Sequence, residues 1–135
     1  MLKRDPSPQA PPLAGHTLVS KEGTLALAEW ADEGESSAER PIAGLHLHRE
    51  DDEAWYVLEG VLGFRLGGKT VEAPAGSAVL APAGTPHAYW NAGEGRARYL
   101  LIAPPRLFKL IEELHEPGAD FNEIFRKYDS ELLSA

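Results

Sequence analysis

From Ile42 to Ala103 the chain is a close succession of short runs, "IAGLHLH", "AWYVLEG", "VLGFRLGGKTVEA", "SAVLAPAG", "PHAYWNAGEG" and "RARYLLIA", each stopped by glycine, proline or charged residues. Runs of this length, rich in β-branched and aromatic residues and punctuated by turn formers, read as strands. Many short strands at such spacing close into a sandwich or barrel. Gly67 and Gly68, between "FRL" and "KTVEA", supply the positive φ of a two-residue hairpin turn. The 13 glycines and 11 prolines among 135 residues agree with a fold made of turns rather than long helices.

The flanks differ from this centre. Residues 1–15 include "DPSPQAPPLA", too rich in proline for a helix or an interior strand, and are expected to form a flexible arm. "HTLVSKEGTLALAEW" offers two further strands, and "ADEGESSAERP" is a charged loop, so the barrel is expected over 16–103. Residues 104–135 change to helical periodicity. "PPRLFKLIEELHE" opens on prolines and repeats Leu107, Leu110 or Ile111, and Leu114 on one face. A second helix is expected to start at Asp120, with Phe121, Ile124, Phe125, Tyr128 and Leu132 along one side. The expected architecture is all-β, a barrel with one or two C-terminal α-helices packed on it.

Composition narrows the chemistry. With no cysteine there is neither a disulfide framework nor a thiolate metal site, so any metal must be held by nitrogen and oxygen. A formal charge of −8 without a basic stripe repels phosphate backbones and anionic lipid, which argues against nucleic-acid partners. No run is long and apolar enough to span a bilayer, and "MLKRDPSPQAPPLAG" lacks the apolar centre of a signal peptide; a cytoplasmic location without membrane association is expected.

Two histidines in "GLHLHRED" stand one residue apart, so on a strand His46 and His48 share a face. Glu53 opens the next strand, and His87 follows the turn "PAGTP". Three imidazoles and a carboxylate form a ligand set for one divalent transition metal, Fe, Mn, Ni, Zn or Cu, with room left for water or substrate. Alternation carries Trp55 to the side of Glu53, and Tyr89 and Asn91 to that of His87. Trp55 and Tyr89 are therefore the expected walls of a substrate pocket. His16 and His115 stand apart from this group. Arg65, Arg96 and Arg98 are strand residues that would be solvated or would clamp an anionic substrate.

These residues resemble the two motifs of the cupin superfamily. The first reads here as His46, His48, Glu53 and Gly60, and the second as Gly76, Pro82, Gly84, His87 and Asn91, with every spacing matched; together they cover more than a third of the chain. The resemblance implies a double-stranded β-helix, or jelly roll, holding a metal inside. It also implies Glu53 rather than Asp52 as the carboxylate ligand, because the distance to Gly60 fits only Glu53. Gly60, Gly76, Pro82 and Gly84 are then turn residues. Within the superfamily, "REDDEAWYVLEGVLGFRLGG" and "APAGTPHAYWNAG" are most similar to small single-domain, quercetin-dioxygenase-like cupins. That likeness implies an oxygenase acting on a small oxygenated organic molecule, with Glu53 as a ligand and a candidate base. The alternatives are a metal-dependent isomerase or lyase, a non-catalytic small-molecule-binding cupin, and a barrel whose metal is purely structural. A homodimer is expected, since Ala43, Leu45 and Leu47 face away from the ligands and both helices carry apolar faces that need cover.

Overall fold

The computed structural model describes Leu13 and residues 15–19 and 22–133, so the arm expected over 1–15 lies almost wholly outside the described residues. In chain order the elements are β1 (Thr17–Val19), β2 (Ala26–Asp32), β3 (Ala43–His48), β4 (Glu53–Glu59), β5 (Val61–Leu66), β6 (Lys69–Pro74), β7 (Ala78–Ala81), β8 (His87–Asn91), β9 (Ala97–Ala103), α1 (Pro105–Leu114), α2 (Phe121–Lys127) and β10 (Ser130–Leu132). The strands form two five-stranded sheets, β1-β2-β9-β4-β7 and β10-β3-β8-β5-β6, with antiparallel pairing throughout. This is the expected jelly roll, followed by two helices.

Alternation places the core between the sheets. Ala97, Tyr99, Leu101 and Ala103 of β9 point inward, as do Trp55 and Val57 of β4 and Leu62 and Phe64 of β5, all buried. Two glycines have conformations that the topology requires. Gly60, between β4 and β5, has φ +78°, and a Cβ there would collide with the Arg96 carbonyl and lie 3.0 Å from Ala97 Cα. Gly67 has φ +60°, whereas Gly68 is not among the positive-φ residues, so a single left-handed residue turns the β5–β6 hairpin.

The expected face of Ala43 is corrected. A register shift in the β3–β8 pairing lies between Ala43, opposite Tyr89, and His46, opposite His87. The irregularity breaks strict alternation, and Ala43 packs inward with the core while Leu45 and Leu47 stay half-buried.

Helix α1 begins with Pro105 at its first turn, where a missing N–H costs nothing, and buries Leu107, Phe108 and Leu110. Asp120 caps α2 by accepting from the Glu123 amide, as expected. This helix is shorter than its apolar spacing predicts. It stops at Lys127, Asp129 takes φ +53°, and Leu132 falls on β10, paired with β3. Lys127 and the Tyr128 hydroxyl both reach Glu113, tying α2 to α1. No helix among the described residues is long and apolar enough to cross a membrane.

Candidate metal centre

Strand β3 presents His46 and His48, the first residue of β4 presents Glu53, and the first residue of β8 presents His87. All four are buried, between 2% and 6% exposed, and one ligand atom from each lies within 4.8 Å of the other three. The register explains the meeting: His46 stands directly opposite His87, and Glu53 reaches across from the other sheet. Asp52 is turned away, accepting a hydrogen bond from the Ala83 amide at 2.8 Å.

The outer nitrogen of each imidazole is engaged. His46 Nδ1 donates to the Gly44 carbonyl at 2.6 Å and His87 Nδ1 to the Thr85 carbonyl at 2.9 Å. His48 Nδ1 meets Ser130 Oγ at 2.7 Å, and that hydroxyl spends its own hydrogen on the Tyr128 carbonyl at 3.0 Å. All three partners therefore accept, the proton sits on each Nδ1, and in the neutral rings each Nε2 keeps its lone pair. Two of those atoms approach one carboxylate oxygen: Glu53 Oε1 is 3.0 Å from His87 Nε2 and 3.3 Å from His48 Nε2.

Lone pairs facing a carboxylate in a buried site repel unless a positive charge lies between them. A proton meets that need in the metal-free protein. Burial by itself lowers the His87 imidazole, but the Glu53 carboxylate overrides it and raises His87 above its ordinary value. Burial by itself raises Glu53, and the hydrogen bonds and charges of His48 and His87 overturn that, holding it well below the usual carboxylate range. His46 is pushed down to about 4 by burial and by the charge of His87, with Glu53 pulling the other way.

A divalent cation would meet the same need with all three rings neutral. The donor set fits such an ion. His46, His48, Glu53 and His87 would hold it, with nitrogen and oxygen ligands that suit several first-row metals.

His46, His48 and Glu53 of the cluster line a cavity of about 680 Å³, with His87 behind them. Tyr89 and Tyr99 form part of its wall, their hydroxyls 3.0 Å apart. Both phenols are held protonated mainly by burial, Tyr99 being pushed up to about 12. Much of the remaining wall is apolar and comes from the C-terminal helices, with Leu107, Leu110, Ile111 and Leu114 on α1 and Phe121 and Phe125 on α2; Trp30 and Ile42 add to it, and Glu112 and His115 are its further polar members. Of the two expected pocket residues, Tyr89 lines this cavity and Trp55 does not. The Trp55 ring is fully buried one layer behind, with centroids 5.5 Å from His87 and 5.3 Å from Tyr89.

The arginines lie elsewhere. Arg98 pairs with Glu29 and Glu59, Arg96 pairs with Glu33, and Arg65 is exposed. Asn91, the last residue of the second motif, ties down a turn by donating to the Gly95 carbonyl at 2.7 Å. Tyr99, Ser130 and Phe125 were not among the expected site residues. Tyr99 sits on an alternating strand and reads simply as core, while Ser130 reaches the site through a pairing that no local pattern announces.

Solved structures share this fold. A protein from Thermus thermophilus matches at 27% identity and TM-score 0.53, covering 64% of this chain and 78% of that one. One from Bacillus halodurans matches at 28% and 0.51, covering 61% and 64%. A protein from Acidithiobacillus ferrooxidans, named as a candidate sugar phosphate isomerase, matches at 21% and 0.53; the match covers 62% of this chain and only 52% of that one. No curated protein matches significantly. The family model for the cupin domain matches residues 34–103, just over half of the chain, and with both histidine motifs set in a jelly roll the chain belongs to the cupin family.

Proposed function

We propose that this cupin is a mononuclear metal-dependent oxygenase acting on a small ring-bearing molecule with an oxygen substituent, as its likeness to quercetin-dioxygenase-like cupins implies. The observation that carries the reading is that His46, His48 and Glu53, three of the four clustered donors, line a cavity whose walls also carry leucine, isoleucine and phenylalanine. About 680 Å³ suits a molecule of one or a few rings. When bound, the metal supplies Lewis acidity and, for a redox-active first-row ion, electron transfer with dioxygen.

The chain's own residues supply the rest. The apolar faces of α1 and α2 hold the ring and exclude water. The Tyr89–Tyr99 pair, both neutral phenols, offers a hydroxyl to an oxygen substituent. Glu53, ionised at neutral pH, orients the site and is the candidate proton acceptor. Among the described residues lining the cavity none is lysine or arginine, which argues against a phosphorylated sugar as substrate.

Protein reconstituted separately with Fe(II), Mn(II), Ni(II), Cu(II) and Zn(II) tests the reading, by oxygen uptake against a panel of catechols and small enols. Uptake that requires a redox-active metal and falls in Glu53→Gln at matched metal content is the expected result. Metal-dependent binding of panel members without oxygen uptake overturns it in favour of a binding module, and isomerised product in favour of an isomerase.

A further inference from the structure

The C-terminal segment touches the ligands themselves. Phe125 of α2 stacks on His48, with ring centroids 6.4 Å apart and planes within 6°, and stands edge-on to His46 at 5.5 Å. Ser130 of β10 is wholly buried and gives His48 Nδ1 its hydrogen-bond acceptor at 2.7 Å. Because the Ser130 hydroxyl hydrogen goes to the Tyr128 carbonyl, the contact holds His48 in the tautomer whose Nε2 lone pair faces Glu53.

This partner comes from a strand of three residues at the edge of its sheet. Ser130 lies opposite His48 and Leu132 opposite His46. At one end the Arg49 amide donates to the Asp129 carbonyl at 3.0 Å, and at the other the Leu133 amide donates to the Leu45 carbonyl at 2.8 Å. On the surface the Arg49 guanidinium reaches Glu131 at 2.6 Å and Asp129 at 3.8 Å. His46 and His87 take their acceptors from backbone carbonyls two residues away on their own chain segments, so His48 is the histidine whose orientation depends on a distant one.

We propose that Ser130 is a positioning residue of the metal centre, and that metal binding and docking of the α2–β10 segment are coupled. The inference rests on the metal-centre reading. A docked β10 aims His48 for coordination; by linkage, an ion that favours this arrangement tightens β10 by the same factor. Loss of metal therefore loosens the segment that also walls the cavity.

Zinc(II), being redox-silent, is the probe. Its affinity is measured by chelator competition, and docking of β10 by hydrogen exchange at the Leu133 amide. Zinc is expected to slow Leu133 exchange in the wild type, and Ser130→Ala to weaken zinc binding by about 10- to 100-fold. Arg49→Ala, a surface change, is expected to speed Leu133 exchange and weaken zinc binding to a smaller degree. A folded Ser130→Ala protein with wild-type zinc affinity overturns the proposal. Should Ser130→Ala fail to fold, faster Leu133 exchange in Arg49→Ala at unchanged zinc affinity overturns it equally. A wild-type protein that binds no zinc, manganese or iron overturns the metal-centre reading first and the coupling with it.

Discussion

Acidification of the metal-free protein should cost stability in a window set by one imidazole. His46 is 6% exposed, and burial with the nearby charge of His87 pushes its pKa from 6.5 to about 4. Between those values the unfolded chain carries a proton on this ring and the folded chain does not, so unfolding takes up a proton and stability falls as the pH drops. At about 1.4 kcal/mol per pH unit, the window from 6.5 to about 4 amounts to about 3 kcal/mol.

The neighbouring groups act outside most of this range. His87 is raised, so its stabilising contribution is fully present below 6.5 and is lost as the pH rises through its folded value. Glu53 is lowered, so its contribution is present above 4.5 and fades only as the pH falls below that. Urea unfolding followed by circular dichroism in excess chelator, at closely spaced pH values across the window, measures the effect. His46→Asn removes the titrating ring, and its profile should be flatter than that of the wild type by about 3 kcal/mol. Parallel profiles for the two proteins would show that His46 does not set the acid limb.

Two further outcomes follow from the fold. Gly60→Ala combines a left-handed backbone with a collision at the Arg96 carbonyl and should destabilise the protein by at least about 2 kcal/mol in thermal or urea melts, so an unchanged midpoint would contradict the assigned turn. A homodimer is also expected, now on different grounds: Leu18, Leu27, Ile102, Ala54 and Leu80 lie in register straight across the outer face of the β1-β2-β9-β4-β7 sheet, with Leu80 57% exposed. Light scattering at micromolar concentration should give twice the chain mass and Leu80→Glu the single mass, whereas a monomeric wild type removes the idea.

What the sequence makes legible here is whatever local rules govern. Alternation and turn residues mark the strands from Ala43 to Ala103 closely, Pro105 and Asp120 mark both helix starts, and the spacing of His46, His48, Glu53 and His87 marks four side chains that do converge. The unread features all depend on contacts distant in the chain. The irregularity between Ala43 and His46 turns Ala43 toward the cavity, although strict alternation puts it outside. The apolar spacing of Leu132 continues that of α2, yet a left-handed Asp129 and the free edge of β3 convert the segment into a strand. Trp55 does project to the interior side, as alternation requires, but it packs against His87 and Tyr89 and does not reach the cavity. That the two helices wall the cavity follows from how amphipathic faces dock, which periodicity cannot specify.

In the proposed metal centre His46, His48, Glu53 and His87 together hold one transition-metal ion. Chelator-stripped wild type and His87→Ala, each titrated with Mn(II), Fe(II) and Zn(II) and then desalted for elemental analysis, test it most directly. One ion per wild-type chain is expected for at least one of these metals, with loss of most of it in a folded His87→Ala protein. A wild type that retains none of the three, or a His87→Ala protein that retains the full complement, would contradict it.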